Sequence, residues 1–560
     1  MRYFLFFINL LLLTSCINEQ NEDMTPDSKN GMVVSGHPEA TKIGLDILRK
    51  GGNAIDASIA VQYALSVCYP IAGNLGGGGF MIYRAGDGTC EALDFREKAP
   101  ASSHRDMYLN DDGEVMKKKS LYGSLAAGVP GTVDGIFTAH KKYGSLPMKA
   151  LILPAIELAE KGFHITANQA RHLNKYQDDF KAHNPLKKYI LNDNGWKESD
   201  LLVQSDLAQT LRRILDKGRA GFYEGETADL IVRTMDSTGG IISKEDLIDY
   251  RSLWRKPITG KYKEYDFISM CPPSSGGIIL KQLFCMAEQV DLSHYEHNSP
   301  EYIHLLAEME RRAYADRAHF MGDADFVDVP IEKLTNRKYI IDRYQSIDPE
   351  KATPSKDISH GVFEIIESEE TTHFSIVDKK GNAVSITTTL NGAYGSKAFV
   401  AGAGFLLNNE MDDFSAKPGH PNLYGLVGGE ANAIAAGKRM LSSMTPTILE
   451  KEGKLFMVVG TPGGSTIITS VFQNILNVTE FGMGMQESIN TPRFHHQWKP
   501  DKIFYEEGRF NDTLLKSLKD KGHICFARRP IGRVDAILVR SDGTLEGGAD
   551  PRGDDSKLGY

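Results

Sequence analysis

Glu369-Glu370-Thr371-Thr372-His373-Phe374-Ser375-Ile376-Val377-Asp378 carries the pattern of a β-strand, filled with β-branched and aromatic residues whose faces alternate. Thr371, His373, Ser375 and Val377 share one face, and Thr372, Phe374, Ile376 and Asp378 the other. Asp378-Lys379-Lys380-Gly381-Asn382 follows as a hairpin turn, with Gly381 supplying the positive φ of a three-residue loop. The return strand is Ala383-Val384-Ser385-Ile386-Thr387-Thr388-Thr389-Leu390. Pairing Asp378 with Asn382 puts Thr389 opposite Thr371 on the same face, so two hydroxyls meet where the strand begins. Taken locally, this is a threonine-rich hairpin and no more.

The whole chain sets the bounds. With 560 residues, 41% hydrophobic and 24% charged, it has the composition of a soluble globular protein with a large core. A formal net charge of -9 argues against a nucleic-acid binder, which needs a basic face. The N-terminus reads as a targeting segment: Arg2, then an apolar run from Tyr3 to Leu13 too short to span a bilayer. It ends in Leu13-Thr14-Ser15-Cys16, similar to a bacterial lipoprotein cleavage box, in which Cys16 becomes the lipidated first residue. Residues 1–15 are then the signal peptide and 16–35 a tether, placing the protein in the periplasm or on the cell surface. The other five cysteines include no CxxC pair, which argues against a disulfide framework and for small buried hydrophobes.

Along the chain, Pro38–Lys50 and Asn53–Cys68 read as helices, the first stopped by Gly51-Gly52. Gly73 to Gly79 is a glycine-rich run feeding a strand. A phosphate loop needs the reverse order, so this run reads as a turn packed close against other backbone. The strand Cys90 to Glu97 carries Arg96, which serves either as a structural ion pair or as a bidentate carboxylate clamp. From Ser145 to Tyr344 the pattern is mostly helical, with helices at Pro147–Gly162, Leu207–Gly218 and Pro300–Met321. His304 and Glu308 lie four apart in the last, a spacing metals use, but the surrounding charges indicate a solvated face. Lys351 to Glu370 reads as an exposed loop. Later strands end in the acidic cluster Glu410, Asp412 and Asp413 and begin behind Ser442-Ser443. Strand Lys454–Val459 turns through Gly460-Thr461-Pro462-Gly463-Gly464-Ser465 into a helix, an order that offers the N–H groups of Gly463 and Gly464 to an oxyanion.

Six motifs in order, Leu93-Asp94-Phe95-Arg96-Glu97, Glu370-Thr371-Thr372-His373, Thr389-Leu390-Asn391, Asn408-Asn409-Glu410-Met411-Asp412-Asp413-Phe414, Leu441-Ser442-Ser443-Met444-Thr445-Pro446-Thr447 and Thr461-Pro462-Gly463-Gly464-Ser465, make the chain resemble the γ-glutamyltranspeptidases, which are N-terminal-nucleophile hydrolases. The resemblance runs from about Gly36 to Asp555. It implies an α+β fold, a four-layer αββα sandwich, formed as one domain from residues 36–370 and 371–560 after self-cleavage between Glu370 and Thr371. The freed Thr371 would carry both the nucleophilic hydroxyl and an α-amine able to take its proton near neutral pH.

By the same resemblance, Thr389 orients Thr371, Arg96 with Ser442 and Ser443 holds the substrate α-carboxylate, and Glu410 and Asp413, with Asn391, hold its ammonium. Gly463 and Gly464 would bind the oxyanion, and 418–432, with Tyr424, resembles a lid over the site. Glutathione is the implied donor, with water, amino acids or dipeptides as acceptors, and neither cofactor nor metal is implied. Arg493-Phe494-His495-His496 reads as structural. The alternatives are a glutaryl- or cephalosporin-type amidase of the same superfamily, and a non-catalytic binding lipoprotein.

Overall fold

The computed structural model describes residues 27–184, 190–358 and 371–560; Cys16 and Glu370 lie outside the described residues, as does most of the Lys351–Glu370 loop. Two seven-stranded antiparallel sheets are stacked face to face. In the first, the strand order is Ser556–Gly559, Met32–Ser35, Thr372–Val377, Ala383–Thr389, Gly78–Arg84, Cys90–Phe95 and Leu253–Arg255. In the second it is Asp27–Ser28, Leu545–Gly548, Asp535–Val539, Lys454–Gly460, Thr447–Lys451, Tyr265–Ser269 and Ile258–Tyr262. Val34, Phe80 and Ile82 from one sheet meet Ile268, Ile448, Val458 and Ile537 from the other to form the inner core. Helices Pro38–Arg49, Ala54–Cys68 and Thr132–Tyr143 cover the first sheet; Gly276–Ala287 and Ile467–Thr479 cover the second. This is the expected αββα sandwich.

The opening hairpin forms in the expected register. Thr372 pairs with Thr388 and Val377 with Ala383, and Gly381 has φ 75°. Asp378 organises the turn: one carboxylate oxygen accepts from the N–H groups of Lys380 and Asn382, and the other accepts at 2.9 Å from the N–H of Ala54. The turn is thereby tied to the start of the fully buried helix Ala54–Cys68, whose own first turn is closed by an Asn53/Asp56 capping box. On the far side of the hairpin lies the glycine-rich run. A Cβ on Gly77 would stand 2.1 Å from the carbonyl oxygen of Thr389, and one on Gly79 would stand 2.4 Å from that of Thr387. Only glycine lets this strand lie so close to the return strand.

Three expectations change. Part of the segment expected as a tether, 16–35, belongs to the fold: Asp27–Ser28 joins the second sheet and Met32–Ser35 pairs directly with the Thr372–Val377 strand. The helical stretch 145–344 is interrupted by Leu253–Arg255, Ile258–Tyr262 and Tyr265–Ser269; the last two join through a tight turn in which Lys263, at φ 51°, stands where a glycine would have signalled a hairpin. The charged face of helix Pro300–Phe320 is buried, not solvated. His304 bonds His523 at 2.8 Å, and Glu308 pairs with Arg311 at 3.2 Å and Arg312 at 2.6 Å. The charges survive burial because they are paired within the layer. Among the described residues no group of His, Cys, Asp and Glu is arranged to hold a metal.

Candidate active site

Thr371 immediately precedes its strand and is 3% exposed, with its Oγ1 3.3 Å from the Oγ1 of Thr389. The Thr389 hydroxyl also accepts from the N–H of Asn391 at 2.7 Å, which fixes its rotamer. Asn391 takes a left-handed conformation, φ 72°, and donates from Nδ2 to the carbonyl of Asn409 at 2.9 Å. That bond brings the end of the return strand against the acidic cluster. One small cavity is lined by Thr371, Thr389, Asn391, Arg96, Glu410, Asp413, Tyr424, Ser442, Ser443 and Gly464. Of the expected site residues only Gly463, which lines a neighbouring larger cleft, and the undescribed Glu370 and Cys16 are missing from it.

Arg96 leaves the end of its strand fully buried, its carbonyl held by the Tyr250 hydroxyl at 2.7 Å. Its guanidinium reaches Asp413 at 2.6 Å through Nη2 and Glu410 at 2.7 Å through Nη1. Both sequence-level readings of this arginine therefore meet in one residue: it is a buried ion pair, and it has the fork geometry of a carboxylate clamp. Burial alone would lower its pKa, but Glu410 and Asp413 outweigh that and hold it above the usual arginine range. Burial pushes the carboxyl groups of Glu410, Glu97 and Asp413 up, and Arg96 only partly offsets it. Three acids face one guanidinium. Glu410 is held mainly by the ion pair from its Oε2 to Nη1, with little hydrogen bonding besides among the described residues.

The remaining walls are set by backbone. Gly463 and Gly464 have φ 138° and 54°, and the helix Ile467–Thr479 starts just beyond them. A Cβ on Gly464 would sit 2.2 Å from the ring of Tyr424. The Tyr424 hydroxyl donates to the carbonyl of Asn391 at 2.7 Å, and Asn422 donates to Asp413 at 2.9 Å. The 418–432 loop thus closes over the cavity between the glycines and the acids. The Ser443 hydroxyl accepts from Arg317 at 3.0 Å, and that of Ser442 accepts from the N–H of Met444 at 3.1 Å.

The sequence reading missed three residues. Arg317 is buried on helix Pro300–Phe320, and burial lowers its pKa to about 10. Glu97 lies 3.7 Å from Arg96 and is fully buried. Arg533 donates to the carbonyl of Thr371 at 3.3 Å. Local sequence marks none of them; Glu97 alone sat inside a quoted motif. His373 is placed away from the chemistry: it bonds Thr387 and Ser375, packs on Gly460 of the facing sheet, and burial drives its pKa down to about 3. His495 and His496 are likewise buried and structural, with pKa values lowered by burial to about 3 and 4.

A buried threonine hydroxyl immediately before a central strand of an αββα sandwich is the arrangement found in N-terminal-nucleophile hydrolases. Comparison with known proteins narrows the class. The γ-glutamyltranspeptidase family model matches residues 40–560. The chain is 47% identical to the glutathione hydrolase proenzyme of Escherichia coli K12 over 95% of this chain and 92% of that protein, and 44% identical to the Pseudomonas aeruginosa PAO1 proenzyme over 93% of each. Among solved structures, cephalosporin acylase from Bacillus halodurans superposes over 99% of both chains (TM-score 0.82, 25% identity). Helicobacter pylori γ-glutamyltranspeptidase matches 60% of this chain and 96% of its own (TM-score 0.58, 46% identity). The chain belongs to the γ-glutamyltranspeptidase family.

Proposed function

We propose that this protein is a self-processing γ-glutamyltransferase and glutathione hydrolase. The carrying observation is the buried Glu410 carboxylate, short of hydrogen-bond donors beside a guanidinium and two further acids. Such a cavity needs a ligand that brings an ammonium to the acids and a carboxylate to the arginine, and a γ-glutamyl group carries both on one carbon. In the precursor, the Thr371 hydroxyl attacks the Glu370 carbonyl, its acyl group moves from nitrogen to oxygen, and water cuts the ester. The cut leaves fragments 16–370 and 371–560 as a heterodimer. The released α-amine then takes the hydroxyl proton as Thr371 attacks the γ-carbonyl, Gly463 and Gly464 face the oxyanion, and the leaving amine departs protonated. Water or an acceptor amine resolves the ester. Arg96, Ser442 and Ser443 hold the donor carboxylate, Glu410, Asp413 and Asn391 its ammonium, and the loop bearing Tyr424 covers it.

The second reading, a glutaryl- or cephalosporin-type amidase, draws on the acylase fold match and on 33% identity to the acylase ACY 1 proenzyme of Pseudomonas sp. SE83. Anilides separate the two. The γ-glutamyl anilide is expected to have kcat/KM at least about 100-fold above the glutaryl anilide, because the missing amine leaves buried acids unpaired. Equal rates would favour the amidase.

We also propose that Cys16 anchors the protein by lipid to a membrane facing the periplasm or the cell surface. Its support is the sequence of residues 1–16. Cys16→Ser is expected to move the γ-glutamyl anilide activity from the membrane fraction to the soluble one; wild type that is already soluble would refute the anchor.

A further inference from the structure

Beside the acyl cavity runs a cleft of about 740 Å³, in the size range of small-ligand sites and roomy enough for a short peptide. The two spaces meet at the glycines: Gly464 lines the cavity and Gly463 the cleft. Whatever leaves the acyl group, or later attacks it, must sit on the cleft side of that meeting point. In a chain of net charge -9, the described residues lining this cleft include seven Lys and Arg and two acids, Glu507 and Asp554.

Not all seven cations face an incoming ligand. Arg552 is bound to Glu506 and Asp550, and Lys397 is buried with its ammonium on the carbonyl of Gly395. Arg171 and Lys175, on helix Ala167–Lys175, form one exposed wall. Arg529, also exposed, follows the strand Cys525–Arg528, a second segment that lines the cleft. Of the two acids, Asp554 is already engaged by the Thr166 hydroxyl at 2.7 Å and by Asn168 at 3.0 Å. His172, on the same helix as Arg171 and Lys175, reports the field: burial first, then Arg533, Lys175 and Arg171, lower its pKa to about 4 against the pull of Asp554. Phe526, 52% exposed, adds an apolar edge for a peptide side chain.

We infer that this cleft is an anion-selective subsite for the leaving group and the acceptor, favouring peptides and amino acids with an additional carboxylate, with Arg171, Lys175 and Arg529 as its specificity residues. The inference rests on the acyl-transfer reading of Thr371 and adds the chemistry of the second substrate. Cationic walls raise the local concentration of an anionic partner and leave the γ-glutamyl end of the donor unaffected.

The test compares hydrolysis of γ-glutamyl-glutamate with that of γ-glutamyl-glutamine, which differ only in the charge of the leaving group. Purified wild type at low ionic strength is expected to show a KM at least about fivefold lower for the acidic donor, a preference that shrinks in 0.5 M salt as charges are screened (about a 4 Å Debye length). Arg171→Glu/Lys175→Glu/Arg529→Glu should reverse the preference, and the same three positions changed to Gln should abolish it. In both variants kcat on γ-glutamyl-p-nitroanilide stays within twofold, which shows that the acyl site is intact. Equal KM values in wild type, or an unchanged preference in the triple variants, overturn the subsite and leave the acyl-transfer reading standing. A chain that is not cut and turns over neither donor overturns both.

Discussion

Thr371→Ala is expected to give one band of about 60 kDa on a denaturing gel, where wild type gives two of about 40 and 20 kDa, with masses scaled from residue count. It should also lose γ-glutamyl anilide turnover by a factor on the order of 10⁶, the size seen when a hydrolase loses its nucleophile. The effect is large because one atom has two duties. The Thr371 hydroxyl cuts the precursor, and the same hydroxyl accepts the glutamyl group once the cut has freed its amine. Alanine removes both steps at once, while the fold around a residue of 3% exposure changes by one hydroxyl and one methyl. Thr371→Ser is the control: it keeps the hydroxyl 3.3 Å from Thr389 in reach and is expected to be cut and active. Thr371→Ala that is still cut at 370/371 would sink the assignment. A wild-type chain that stays uncut and inactive would favour a binding lipoprotein.

Local chemistry made much of this legible. The hairpin register followed from Asp378, Gly381 and Asn382, because a three-residue loop with one left-handed glycine permits one pairing. The end of helix Pro38–Arg49 followed from the Gly51-Gly52 stop. Contacts set by the third dimension were harder to read. The 2.6 Å pair between Arg96 and Asp413 joins residues 317 apart, and only the order of motifs hinted that they meet. Helix Pro300–Phe320 misled because its charges look like a wet surface; their partners, such as His523 and Asp501, arrive from the far end of the chain. Arg317 was hidden by that misreading. Strand Ile258–Tyr262 was hidden because Lys263, not glycine, makes its turn.

Arg96 carries the second large effect, and stability and catalysis can be separated there. Arg96→Met keeps most of the side-chain volume but leaves Glu410 and Glu97 buried, with Asp413 beside them, without the guanidinium that faces all three. Breaking a buried pair in this way costs about 3–5 kcal/mol, a large part of the usual 5–15 kcal/mol of a folded protein. Thermal unfolding should shift down clearly, and turnover of γ-glutamyl-p-nitroanilide should fall by more than about 10³-fold, mainly through KM, since each charged hydrogen bond to the donor carboxylate is worth about 1.5–3 kcal/mol. Arg96→Lys keeps the charge, but its single ammonium cannot meet Glu410 and Asp413 on two separate nitrogens as the fork does. It is expected to fold and be cut, with KM raised about 10- to 100-fold. Arg96→Met/Glu410→Gln removes one stranded charge along with the arginine, so it should recover part of the lost thermal stability while remaining inactive. Recovery of both together would mean that Arg96 serves only the fold; a KM unchanged in Arg96→Lys would remove it from the donor site.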